Sequence, residues 1–283
     1  TTNHFSTGQE MFNLLVSHGL PIGKKTEQSF HVPDFIKQGT DSIKAEFLAA
    51  LMGAEGDIPN IQINGKTQRC ISMRMHKIPE LMNEHWEFFK ELQDLYTSLG
   101  ITCHIKEEKS ANKKTKRLAL LIDNELYNTI RFLEVVGYRY QQDKEKRAFL
   151  LLGYLKYKQR IIEELQSKFD LIQQFKDKGF KNAEIARILS VPTWMVNSRC
   201  RRGSLKAVYP KRDSLTFQEW LDKHYIDGVF YDDIISRSED REETVYNMTV
   251  EDSHSYIAEG IVTHNCDYML QKDVANLVNI RNQ

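Results

Sequence analysis

Leu48-Ala49-Ala50-Leu51-Met52-Gly53-Ala54-Glu55-Gly56 is the stretch on which the fold reading turns. Ala49, Ala50 and Gly53 are small, so another helix can approach this one closely. Glu55 ends the run and places a carboxylate at the helix terminus. With the preceding residues the pattern predicts an apolar helix from Ser42 to Gly56; a plain amphipathic helix with an incidental Glu meets the same description.

Working outward, Ile58–Ile63 and Arg69–Met75 read as strands joined through Asn64-Gly65, a hairpin signal. Ile61, Ile63, Ile71, Met73 and Met75 share one face; Gln62, Asn64, Cys70, Ser72, Arg74 and His76 share the other. Leu81–Leu99 reads as an amphipathic helix closed by Gly100. Ile101–Lys106 and Lys116–Ile122 form a second strand pair around a Lys-rich loop. Helices follow at Asn124–Val136, closed by Gly137, and at Lys144–Leu165. The expected class is α+β, with helices on one face of an antiparallel sheet.

The formal net charge is zero and the pI about 7.1, which taken alone argues against a nucleic-acid binder. The distribution argues otherwise. Arg199–Arg212 holds six basic residues and no acid, and Lys106–Arg117 six basic residues against two acids. The segment Asp232–Asp252 holds eight acids against two basic residues. Each run alone could be a solvated face; two basic runs beside candidate reading elements favour nucleic acid. None of the four cysteines sits in a C-x-x-C pair, so neither a zinc site nor a disulfide framework is expected. No apolar run is long enough for a membrane span, and Thr1-Thr2-Asn3-His4 does not open a secretory signal. A reducing, cytoplasmic setting is expected, with no membrane partner.

The Leu48–Gly56 stretch resembles the LAGLIDADG motif of homing endonucleases. Val32-Pro33 with Phe35-Ile36 upstream, and Phe132–Tyr138 downstream, resemble the flanks of such a repeat. The resemblance implies that Glu55 is the metal-binding acid, with Mg2+ as the cofactor for in-line attack on a phosphodiester. It implies that Gln62, Arg74 and His76, with Lys113, Lys114, Lys116 and Arg117 of the Lys-rich loop, contact a double-stranded DNA target. Lys144 would lie near the scissile phosphate. Met52-Gly53 departs from the usual Ile-Asp, and only one motif is present, so a first repeat would be missing.

Lys181–Pro192 reads as a helix and a tight turn, followed by a second helix from Thr193 to Arg202. This resembles a helix-turn-helix whose second helix enters the major groove, with Asn197, Arg199, Arg201 and Arg202 as DNA contacts. A generic helical hairpin is the plainer alternative.

Val245–Cys266 resembles the last two blocks of inteins, carried by His254 and by His264-Asn265-Cys266. The resemblance implies that Asn265 cyclises on its own carbonyl, that His264 and His254 assist with protons, and that Cys266 accepts the upstream segment as a thioester. Splicing would need no cofactor. The partners implied are a missing N-terminal intein half and a host extein protein; Cys266-Asp267-Tyr268-Met269 through Ala275-Asn276-Leu277 resembles a segment of ribonucleotide reductases.

Five segments are therefore expected: 1–40, the tail of a first repeat; 41–165, a LAGLIDADG repeat; 166–212, a helix-turn-helix module; 213–265, the C-terminal β-strands of a Hedgehog/intein-type splicing domain; and 266–283, extein. The expected function is autocatalytic splicing with metal-dependent double-strand cleavage. The alternatives are an inactive LAGLIDADG/helix-turn-helix DNA-binding regulator, and a fragment named after its host.

Overall fold

The computed structural model describes residues 9–19, 22–62, 65–109, 114–202, 214–226, 229–231, 255–258 and 261–264. The chain divides into two units, Thr1–Tyr231 and Asp232–Gln283.

The first unit opens with α1 (Gln9–Ser17) and the single turn α2 (Asp34–Lys37). α3 (Asp41–Glu55) follows, with the Thr40 hydroxyl accepting from the Ile43 N–H at its start. Its small residues are used, but not by a second helix. A Cβ on Gly53 would lie 1.9 Å from the Arg139 carbonyl oxygen, and the Arg139 N–H donates to the Ala49 carbonyl at 3.1 Å. The stretch therefore seats a backbone segment of this same chain.

The main sheet has the order β1-β3-β2, with β1 (Ser72–Lys77), β2 (Cys103–Glu108) and β3 (Lys116–Ile122), all antiparallel. The pairing expected between residues 58–63 and 69–75 forms in part: Gly56↔Met73 and Ile61↔Gln68 are antiparallel bridges in one register, and the Asp57 N–H donates to the Ser72 carbonyl and the Arg69 N–H to the Asn60 carbonyl, each at 2.8 Å, without a continuous ladder. Pro59 has no N–H to give a ladder. Along its other edge β1 pairs with β3, where Met73 faces Leu120 and Met75 faces Leu118 on the buried side. Burial of that apolar row fixes the β1–β3 register.

α4 (Met82–Ser98) crosses from β1 to β2 and packs on β2 and β3 through Phe88, Phe89, Leu92 and Leu95. It ends at Gly100, whose φ of +72° lets Ile101 N–H reach back to the Tyr96 carbonyl. α5 (Leu126–Val135) adds Ile130, Phe132 and Leu133 to the same core.

α6 (Gln142–Asp177) runs 36 residues, about 54 Å at the helical rise. The boundary expected at 165/166 is absent, because the far half of this helix supplies the next core. Ile172, Phe169 and Phe175 pack with Ile185, Ala186 and Val196 of α7 (Asn182–Ile188) and α8 (Thr193–Arg202).

α9 (Phe217–His224) and the short pair β4 (Tyr225–Ile226) and β5 (Val229–Phe230) also belong to the first unit. Trp220 is buried against Tyr154 and the backbone of Gly153, so the segment expected to start a separate splicing domain at 213 is built into this unit. The described part of the second unit is the hairpin β6 (Ser255–Ala258) and β7 (Ile261–His264). Among the described residues no helix is long and apolar enough to cross a membrane.

Candidate nucleic-acid interface

The outer face of the sheet is set by strand alternation. Three cross-strand rows lie on it: Ser72–Leu121–His104, Arg74–Ala119–Lys106, and His76–Arg117–Glu108. Ala119 is small, and Arg74 reaches past it to Glu108, with Nε to Oε2 at 3.0 Å. Arg117 pairs with the same oxygen at 3.0 Å, so Glu108 sits between two guanidinium groups. Arg74 also pairs with Asp57 and donates to the Ser72 hydroxyl at 2.7 Å. Burial works against the Arg74 charge, but Glu108 and Asp57 outweigh it and hold its pKa above the usual value. His76 Nδ1 lies 3.2 Å from the Thr115 hydroxyl, and Lys116 pairs with Glu107 at 3.5 Å. Lys106 and Lys114 are exposed at the rim.

Several residues singled out in the sequence have other duties. Gln62 is exposed in a loop off the sheet, its N–H donating to the Thr67 carbonyl at 2.6 Å and its carbonyl accepting from Gly65 N–H at 2.9 Å. The Glu55 carboxylate pairs with Lys25 at 2.6 Å. Among the described residues no group of three or more His, Cys, Asp or Glu is placed to hold a metal ion.

Lys144 is 8% exposed, and its amine donates to the carbonyls of Gly53 at 2.7 Å, Gly56 at 2.6 Å and Met52 at 3.4 Å. It neutralises the negative end of α3 rather than meeting a phosphate, and burial lowers its pKa. The signal for this duty is weak in the sequence, because the partners are backbone atoms about ninety residues away.

Between α7 and α8, Ser190 adopts φ +51° at the turn and Val191 N–H closes onto the Ala186 carbonyl. Asn197 accepts from the Asn182 amide at 2.8 Å and ties the two helices together. Arg199 is 6% exposed with its guanidinium 5.3 Å over the Phe169 ring, so it packs the hairpin and does not reach outward. Arg201 and Arg202 lie in the last turn of α8. Trp194, not singled out from the sequence, stands 67% exposed in the first turn of α8. An aromatic two positions past the turn proline was the available signal.

His264 ends β7, opposite Ser255 in register. Lys113, His254, Asn265 and Cys266 lie outside the described residues.

No family model matches the chain, and no solved structure matches it. Curated relatives do. The chain is 29% identical over 273 residues to the replication factor C small subunit of Methanocaldococcus jannaschii, covering 94% of this chain and 14% of the relative. It is 30% identical over 268 residues to the tRNA-splicing ligase RtcB of the same organism, covering 89% of this chain and 26% of the relative. It is 25% identical over 255 residues to that organism's DNA-directed RNA polymerase subunit Rpo1N, covering 89% and 16%. The ligase name recurs among relatives from Methanopyrus and Pyrococcus. The chain spans 14% to 28% of the length of these relatives.

These names correct the identity expected from the motifs. The relatives are named as an RNA ligase, a replication factor and a polymerase subunit, and none bears the name of an intein or a LAGLIDADG endonuclease. Autocatalytic splicing and metal-dependent DNA cleavage do not stand on that footing. Neither do the intein half, the host extein and the DNA target as partners, and the DNA-binding regulator fits no better.

Proposed function

We propose that this chain is an RNA-binding segment of a larger nucleic-acid-processing protein, acting in the cytoplasm. One observation carries the reading: nearly the whole chain recurs as a minor part of relatives whose names speak of tRNA splicing, replication and RNA polymerase. A segment common to three differently named proteins contributes something they share, not the chemistry peculiar to one. The shared element in those names is nucleic acid, and tRNA is the most frequent. The ligation chemistry is assigned to the remainder of such a protein.

The geometry supports binding at two places. The outer sheet face presents Arg74 and Lys106 in one row, two strand spacings of about 5 Å apart, and His76 beside Arg117 in the next row. That spacing suits charge-assisted contacts to successive phosphates. Trp194 offers an exposed ring on which an unpaired base stacks.

Fluorescence anisotropy with a labelled stem-loop RNA tests this, with a DNA duplex of equal charge as the comparison. The expected result is salt-sensitive RNA binding, weaker binding to the DNA, and a loss of roughly fivefold or more in Trp194→Ala from lost stacking. Absence of RNA binding at low salt would sink the proposal, and so would equal affinity for both nucleic acids.

A further inference from the structure

A cavity of about 350 Å³ lies between the first turns of α6, the extended stretch 59–61 and α9. Its size falls at the lower end for small-molecule sites, near that of a single nucleotide. One wall is a single face of α6: Asp143, Lys146, Arg147, Leu150 and Leu151 recur at helical spacing. The opposite wall is Phe217 and Leu221, four apart on α9.

The lining grades from polar to apolar. Asp143, Lys146 and Arg147 are exposed at the mouth, while Leu150 and Leu151 are buried at the floor. Among the described residues neither Lys146 nor Arg147 makes an ion pair; the Lys146 amine lies 5.4 Å over the Tyr225 ring. The N-terminal end of α6 adds partial positive charge to the same mouth. An apolar floor with a cationic rim and one carboxylate suits a ligand with a flat apolar body, a phosphate and a hydrogen-bond donor.

We propose that this cavity takes one unpaired nucleotide whose base carries an exocyclic amino group. The base lies on Leu150, Leu151 and Phe217, the phosphate rests between Lys146 and Arg147, and Asp143 accepts from the amino group. The assignment rests on the RNA-binding reading in that it makes the ligand a nucleotide of the bound RNA. The cavity is separate from the sheet face and from Trp194, and its test is independent of theirs.

Isothermal titration of the full chain with AMP, CMP, UMP and inorganic phosphate provides that test. AMP and CMP are expected to bind at one site and UMP more weakly. Lys146→Ala/Arg147→Ala is expected to lose about tenfold or more, through lost charge-assisted contacts. Both side chains are exposed, and an unchanged far-UV circular dichroism spectrum verifies that the variant is folded. No heat with AMP, a match by phosphate alone or by UMP, or undiminished binding in the double variant would each overturn the assignment. Stem-loop binding without AMP binding removes the pocket and leaves the proposed function; AMP binding without stem-loop binding does the reverse.

Discussion

Replacing Lys144 by Met separates a structural amine from one that meets nucleic acid. The amine is buried and holds the Gly53 and Gly56 carbonyls at 2.7 and 2.6 Å, with Met52 more distant at 3.4 Å. Hydrogen bonds to a charged group are worth about 1.5–3 kcal/mol each, and both short ones disappear together. Against this stands relief of the ammonium's desolvation, the same effect that lowers its pKa. Met retains most of the stem packing, so the net loss is about 2–4 kcal/mol. Urea unfolding of wild type and Lys144→Met, followed by circular dichroism at 222 nm, measures it. RNA affinity of the folded variant is expected to be unchanged, because the amine faces carbonyls inside the protein. A stability change within about 0.5 kcal/mol would refute the capping role. Unchanged stability with weakened RNA binding would show that the amine serves a phosphate instead.

Three further outcomes follow from other parts of the molecule. Gly53→Ala places a Cβ against the Arg139 carbonyl oxygen, a backbone atom that cannot swing aside; thermal or urea unfolding is expected to show a loss of about 3 kcal/mol. Glu108→Gln removes the carboxylate held between Arg74 and Arg117, so RNA affinity in the anisotropy assay is expected to rise roughly threefold to tenfold while stability falls by about 1 kcal/mol. Burial pushes the amines of Lys77 and Lys158 down to about 8, so above that pH the unfolded chain binds more protons and stability climbs. Each lysine contributes about 1 kcal/mol from about pH 8 to about pH 9; the raised Cys103 thiol opposes them increasingly toward pH 9, and the raised tyrosines do so only above it. Lys77→Met is expected to keep about half of that slope, and an unchanged slope would contradict the assignment.

Periodicity and punctuation made most of the first unit's elements legible. The helices at 41–55, 82–98 and 126–135 and the strands at 103–108 and 116–122 lie within a few residues of their expected bounds. Gly100 and Gly137, both at positive φ, close helices where the sequence placed closures. Long-range partners were not legible in the same way. The Asn64-Gly65 signal agrees with the partial pairing of residues 56–61 with 68–73, but the buried rows of β1 and β3 match across residues 78–115, which no local signal reports. The smallness of Gly53 was readable, yet the segment it admits was not, because Arg139 approaches through backbone atoms that leave no side-chain pattern. Arg199 was read by type as a phosphate or base contact; the Phe169 ring that takes its guanidinium sits thirty residues earlier on a different helix. The motif resemblances supplied an identity that the relatives' names do not carry.

The neutral charge total is compatible with RNA binding once the pairing on the sheet is considered. Arg74 and Arg117 already hold Glu108, and Arg74 also holds Asp57. An incoming phosphate therefore replaces a carboxylate instead of meeting a bare cation. The exchange conserves much of the local electrostatics, so its gain per contact is smaller than at an unpaired lysine, and it releases few counterions. The salt dependence of RNA binding should then be shallower than the number of basic residues on the face suggests. In Glu108→Gln it should steepen, because two guanidiniums that were internally neutralised would carry their own counterions until RNA displaces them. A slope of log affinity against log salt that is the same in wild type and variant would mean that RNA never touches Arg74 and Arg117, and the binding surface would have to be sought at the rim lysines and α8 alone.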